Sequence, residues 1–472
     1  MPDNPYNPLH PVEDPTLFFG REEALSFLQL NFSGRVMTKA LVILGHRGLG
    51  KTSLLNHVPL VVDERYPSVY IDLSALEMDS PVALVAAIVD QTRAMMGMLQ
   101  ASTYRLPTFP DPADPSIDFL QWLADDYLDV VLAAIRRQRH MILMLDDAHL
   151  LFEAIESGSL PASLFGYFQG LLERYEQLDI LAAMNIRYEA QSLEMAPFDD
   201  ETLHHRLTPL SVPAAHQLMT EPVSDRYSFT AEALDRILEL AGGHPFYLHA
   251  IGRLIYRRWS EARHLETITL YDVQTVYPMV LEMTAETIAP IWEALRPNER
   301  LVLTALLDLV DGDPEASEAI TLEAVETWLS RTDYPLNDVQ AAAAFRALEY
   351  QGIVHSDLHG YRIRSVIMAD VLATMLDTGE IRKPPTRRIP VWAIFVAVLV
   401  MAGLVGGVLL LVGGDDADTA VDNGNRATVT LELDLAATQA AEQQTATHLA
   451  QPSPSPETSP TPTPLPIFRF GG

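Results

Sequence analysis

Gly45-His46-Arg47-Gly48-Leu49-Gly50-Lys51-Thr52 is the stretch on which the reading of this 472-residue chain turns. Its spacing, G-x-x-x-x-G-K-[ST], suits a loop that wraps a phosphate group. Glycines let the backbone bend until successive N–H groups point inward at an anion. Lys51 then reaches the outer phosphates of a nucleotide, and the Thr52 hydroxyl meets Mg2+. A helix opened by the loop adds the anion attraction of its N-terminal dipole.

The flanks agree with that reading. Ala40 to Leu44 is an apolar run of the kind that forms a buried parallel strand, and Ser53 to Val58 continues as a helix start. Strand, glycine loop and helix in that order are what a P-loop NTPase requires. Further along, Ser68 to Leu73, Met141 to Leu145, Leu178 to Met184 and Leu203 to Leu207 read as four more strands, separated by helical spacing. The expected fold is therefore α/β, a parallel sheet covered by helices on both faces. The third strand ends in Asp146-Asp147, where a carboxylate can hold Mg2+, and Asn185 and Arg187 lie just past the fourth.

Bulk properties narrow the chemistry. The formal charge is −31, which argues against a general polyanion binder. With no cysteine, disulfides, thiol catalysis and cysteine-based zinc sites are excluded, and the 14 histidines show no metal spacing. The N-terminus carries no signal peptide. Val391 to Val412, by contrast, is a run of 22 uncharged residues, roughly 33 Å as a helix and long enough to span a membrane. Arg382, Lys383, Arg387 and Arg388 precede it; Asp415, Asp416 and Asp418 follow it. That asymmetry places the N-terminal portion in the cytoplasm and the tail on the exported side of the cell membrane. Gly403 and Gly407 form a G-x-x-x-G pair that suits close approach of two such spans.

The expected organisation is an extended lead-in (1–17), a phosphate-loop core (18–210), a helical lid with connecting helices (211–290), a unit of three helices and a hairpin suggesting a winged helix (291–375), a basic linker (376–388), a transmembrane helix (389–413) and a low-complexity Ala/Thr/Gln- and Pro-rich tail (414–472). Ala231 to Ala241 should stop at Gly242-Gly243, and Pro245 should open the next helix. Hairpin strands are expected at 352–355 and 361–364.

Several pieces together resemble the STAND ATPases (signal transduction ATPases with numerous domains) and the related AAA+ proteins of the origin-recognition type. They are Asn4-Pro5-Tyr6, Pro11-Val12, Phe18-Phe19-Gly20-Arg21-Glu22, the Gly45–Thr52 loop, Leu143 to Asp147, Leu207-Thr208-Pro209-Leu210 and Gly243-His244-Pro245. The likeness covers residues 4–260 well and 291–375 loosely. It implies ATP and Mg2+ as ligands. The loop Gly45, His46, Arg47, Gly48, Leu49, Gly50, Lys51, Thr52 and Ser53 would hold the phosphates, Thr52 and Asp146 the metal. Phe19, Gly20 and Arg21 would lie against adenine, with Pro245 packing on the base from the lid. Asp147 would hold the attacking water, and Asn185 or Arg187 would sense the γ-phosphate.

Two departures bear on rate. Asp147 stands where active hydrolases of this type often carry Glu; one methylene less displaces the water, and an error of about 1 Å can cost roughly 100-fold. No arginine lies between Arg187 and Arg206 to act as a finger, and nothing selects among Arg174, Arg253 and Arg257. Both departures favour slow ATP hydrolysis, hence a membrane-anchored signalling switch that self-associates and whose winged unit engages a protein partner. An oligomeric AAA+ remodelling enzyme is the alternative. A DNA-binding ATPase fits poorly: residues 291–380 carry 16 Asp/Glu against 6 Arg and no Lys, the wrong sign for phosphate contacts.

Overall fold

A computed structural model describes residues 4–32, 39–135, 139–261, 266–310, 319–330, 336–358 and 360–378. The apolar run Val391 to Val412, its basic flank and the tail lie outside the described residues. Among the described residues, no helix is long and apolar enough to cross a membrane.

Five parallel strands form the central sheet: β1 (Ala40–Leu44), β2 (Ser68–Asp72), β3 (Met141–Asp146), β4 (Leu178–Met184) and β5 (His204–Arg206), in the order β2-β3-β4-β1-β5. Every residue of β1, β3 and β4 is buried, as expected for strands covered on both faces. Alternate side chains divide between two cores. Leu41, Ile43, Ile142, Met144, Leu181 and Ala183 pack with the helices Glu22–Asn31 and Lys51–Val61. Val42, Leu44, Leu143, Leu145, Ile180 and Ala182 pack with helices including Pro81–Met98 and Leu164–Arg174. The short edge strand β5 is polar and only half-buried, which suits an edge.

The strand order positions the site. From β1 the chain crosses to the far edge, and β4 returns to lie between β1 and β3. The loop after β1, the acids ending β3 and Asn185 after β4 therefore emerge side by side at the carboxyl edge of the sheet, where open α/β sheets bind ligands.

From Ser211 onward the architecture is helical. Ser211 caps Val212–Thr220, and Thr230 caps Ala231–Ala241, their side chains accepting from Ala214 N and Ala233 N. That second helix stops at Gly242, whose φ of +56° is the left-handed conformation of a helix C-terminus. Pro245–Glu261 and the 25-residue helix Leu270–Ala294 follow, and β6 (Ser228–Phe229), ahead of Ala231–Ala241, pairs with β7 (Thr267–Ile268), just ahead of Leu270–Ala294. Helices Pro297–Val310, Leu322–Ser330 and Asp338–Tyr350, an antiparallel hairpin of β8 (Val354–Asp357) and β9 (Gly360–Ile363), and a last helix Val366–Thr378 complete the described chain.

One apolar core, containing Tyr247, Trp292, Leu306 and Phe345, runs through the lid helices and the C-terminal helices alike. The Tyr277 hydroxyl donates to Asp370 at 2.5 Å and Ser365 Oγ to the Leu240 carbonyl at 2.8 Å, tying the last helix onto the lid. The first helix begins at Glu22, and Gly20, at φ +67°, turns the chain ahead of it. One local expectation shifts. The hairpin pairs Asp357 with Gly360, which moves its strands from the expected positions.

Candidate functional site

The loop leaves β1 with Gly45 N donating to the Met184 carbonyl of β4 at 3.2 Å. Gly48 and Gly50 take φ of +81° and +87°, values that side-chain-bearing residues rarely adopt. Around Gly50 a Cβ would meet nothing within 4 Å. Gly48 is crowded instead: a Cβ there would lie 2.9 Å from His244 and from Phe246 of the lid. Gly50 is the N-cap of Lys51–Val61 and supplies no side-chain cap, which leaves the first-turn N–H groups for an anion.

Lys51 is 8 % exposed, and its Nζ donates to the carbonyls of Gly45 (3.0 Å) and His46 (3.1 Å). Burial lowers its pKa, while Asp147 and Asp146 act in the opposite direction. The ammonium thus bridges the two carbonyls at the start of its own loop.

Asp146 ends β3 and is 2 % exposed. It accepts from the Tyr70 hydroxyl (2.9 Å) and from Asp147 N (3.0 Å), with the Thr52 side chain close by. Burial raises its pKa despite these bonds. Asp147 stands in the left-handed region at φ +51°, which turns its carboxylate toward the cavity. Burial raises its pKa too, and Lys51 pulls it back. His149 Nδ1 lies 3.9 Å from Asp147 Oδ1, but burial drives the His149 pKa down to about 4, so the ring is neutral.

Asn185 Oδ1 accepts from Arg187 N at 3.1 Å and caps the turn Ile186–Tyr188. Arg187 also lines the cavity, though its guanidinium is already engaged: Nη2 donates to Glu153 at 2.9 Å and to the Tyr188 hydroxyl at 2.7 Å, and the group lies over the Tyr188 ring.

These groups line a cavity of about 530 Å³. The apolar part of its lining comes from Phe18, Phe19, Leu218, Pro245, Phe246 and Ile291. Of the sequence-derived candidates, His46, Arg47, Gly48, Leu49, Gly50, Lys51, Thr52, Ser53, Asp147, Asn185, Arg187, Phe19, Arg21 and Pro245 all line this one space. Gly45 and Asp146 lie behind that wall, Gly45 offering its carbonyl to Lys51. Gly20 does not reach the cavity; it packs under Ala214, where a Cβ would sit 2.3 Å away. Arg21 is spent on backbone, donating to the carbonyls of Thr208 and Leu49 at 2.8 Å each. Burial brings its pKa down to about 10, which leaves it charged; it ties the loop to the segment leaving β5.

Two features escaped the sequence reading. Asn7 to Val12 form a strap that makes one wall of the cavity. Tyr6, fully buried, anchors one end by donating to the Met219 carbonyl at 2.6 Å, and Val12 N donates to Ser53 Oγ at 3.0 Å at the other. The signal for the anchor was present in Asn4-Pro5-Tyr6, but nothing local reveals where it docks. The second feature is a set of buried neutral histidines, His46, His244 and His249, with burial pushing their pKa values down to about 4, about 3 and about 4.

A parallel five-stranded α/β fold with a glycine loop, a lysine at the head of its helix and a buried aspartate beside it defines a P-loop ATPase-like domain. Consistent with that class, residues 18–251 match the family model of an ATPase domain predominantly from Archaea. Solved structures with the same fold include the Walker-type ATPase of Pyrococcus abyssi, 16 % identical, covering 77 % of this chain and 99 % of that one at a TM-score of 0.53. The ORC2 protein of Aeropyrum pernix, solved in ADPNP–ADP complexes, is 14 % identical, with 78 % and 99 % covered and a TM-score of 0.54. At such identities the likeness shows the fold alone. No curated protein matches the chain.

Proposed function

We propose that this chain is an ATP-binding switch of the STAND/AAA+ type, in which the state of the nucleotide sets the position of the C-terminal helices and hairpin. The observation that carries the reading is the turn after helix Asp338–Tyr350, which sits against the loop and the sheet edge together. The Tyr350 hydroxyl donates to Glu189, which also accepts from Arg206 Nε at 2.6 Å, and Arg206 lies over the Tyr350 ring. The Gln351 backbone faces His46 of the loop, and Gly352 packs on Pro209. Displacement of His46 by a bound phosphate would thus be felt directly at residue 351.

In this reading the loop amides and Lys51 bind the phosphates, Lys51 exchanging its two backbone carbonyls for phosphate oxygens. The Thr52 hydroxyl and the Asp146 carboxylate are neighbouring hard oxygen donors, a pair that suits Mg2+ with the rest of its shell in water. Mg2+ held there would neutralise charge on the phosphates. Asp147 orients the attacking water and Asn185 meets the γ-phosphate, while Arg187 must first leave Glu153. The arginines considered as fingers are engaged elsewhere: Arg174 with Asp125 and Asp129, Arg253 with Asn7, Arg257 with Glu261. This supports slow hydrolysis over a fast motor. The apolar run at 391–412 supports anchorage in the cell membrane with the ATPase cytoplasmic, self-association near it, and a protein partner for the winged-helix-like unit.

The test is ATP binding and turnover by the full-length protein. Asp147→Ala should keep ATP affinity and lose turnover. Steady turnover on the order of 1 per second or faster, rising with protein concentration, would favour the oligomeric remodelling enzyme instead.

A further inference from the structure

Among the polar side chains at the lid side of the cavity, His249 stands apart. It lies one helical turn after Pro245 on Pro245–Glu261, lines the cavity, and is only 8 % exposed. Its Nδ1 is shut off from solvent with no hydrogen-bond partner among the described residues. Its neighbours differ in kind: the side-chain oxygen of Asn7 is taken up by Leu9 N and Arg253, and His10 is exposed.

The ring is also fixed in place. Tyr6 meets it edge-on, ring centroids 6.2 Å apart, and Tyr6 itself is locked by Met219 and by Gly252, where a Cβ would come within 2.6 Å of the Tyr6 ring. A buried polar side chain held this rigidly beside a cavity is a preorganised contact. A buried N–H without an acceptor is the rarer defect, so the imidazole proton belongs on Nε2, the ring nitrogen that is not sealed off, and is offered to the cavity. Burial keeps the ring uncharged at neutral pH, which fits it to a neutral heterocycle better than to a phosphate.

We propose that His249 reads the nucleobase, donating from Nε2 to a ring-nitrogen acceptor on the edge of a purine that lies between Phe19, Pro245 and the strap. This rests on the nucleotide reading above and adds the residue by which the lid holds the base. His249 is thereby a specificity residue, and the lid closes on the base through it.

Binding of Mg2+·ATP and of Mg2+·tripolyphosphate, which has no base, is measured on full-length wild type, His249→Phe and His249→Asn. His249→Phe should lose roughly tenfold in ATP affinity, the worth of one buried hydrogen bond, with tripolyphosphate affinity within twofold of wild type. His249→Asn, which keeps a donor, should recover part of the loss. Unchanged ATP affinity in His249→Phe overturns the inference and leaves the nucleotide site standing. A parallel fall for both ligands overturns it as well, since that marks a merely structural residue. A wild type that binds neither ligand ends the nucleotide reading and this inference together.

Discussion

Two parts of the cavity wall are built in opposite ways. The glycine loop is nearly one contiguous peptide, Gly45 to Ser53, whose shape follows from two left-handed glycines and a helix start. The apolar part is assembled from the strap, Phe18 and Phe19, the lid helix opened by Pro245, and Ile291 near the end of Leu270–Ala294. The first is specified by local backbone conformation; the second exists only once segments nearly 290 residues apart have packed. Chemistry that must hold a phosphate is therefore stored locally, whereas recognition of the rest of the ligand is stored in tertiary packing.

The largest effect should come at the glycine loop. Lys51→Ala removes the buried cation and should weaken ATP binding at least roughly 100-fold, read by calorimetry on the full-length chain. Equal affinity in the two proteins would erase the contrast between the two parts. Next come the two loop glycines, which share a conformation and differ in surroundings. Gly50→Ala meets open space and should cost about 1 kcal/mol of stability from its φ alone. Gly48→Ala adds collision with His244 and Phe246 and should cost about 2–3 kcal/mol, measured by chemical denaturation. Equal costs would show that the lid does not press on the loop.

Acid probes the apolar part of the wall. The folded chain holds His249 unprotonated down to about pH 4, whereas an unfolded histidine takes its proton near 6.5. Between those values unfolding takes up about one proton for this residue, so its contribution is complete above pH 6.5 and drains away as pH falls, by about 1.4 kcal/mol per pH unit at most. In His249→Phe the fall in stability from pH 6.5 to 4 should be shallower than in wild type; identical slopes would mean the ring is not buried neutral. The smallest effect belongs to the strap. Tyr6→Phe loses the bond to Met219 and should cost about 1 kcal/mol by denaturation, with glycine-loop properties unchanged.

This division also explains what could be read in advance. Strands β1 and β4 occupy the apolar runs residue for residue, and helix Ala231–Ala241 ends at its glycine, because burial on both faces and left-handed caps leave local marks. The loop, Asp146-Asp147 and Asn185 were legible for the same reason. The order β2-β3-β4-β1-β5 was not, since crossovers leave no periodicity. Nor was the docking of Tyr6, the diversion of Arg21 to two backbone carbonyls, or the docking of Tyr350 on Glu189, each a contact between distant segments. Leu270–Ala294 runs on past residue 290, because the lid and the C-terminal helices share one core in which Trp292 is buried.

Amide hydrogen exchange on the full-length protein, with and without Mg2+ and a nonhydrolysable ATP analogue, reads nucleotide binding and its transmission together. Exchange should slow at Gly48 to Ser53, where main-chain donors take up the phosphates, with a change carried to Tyr350–Gly352. Unaltered exchange across Gly45 to Ser53 at saturating analogue would contradict it.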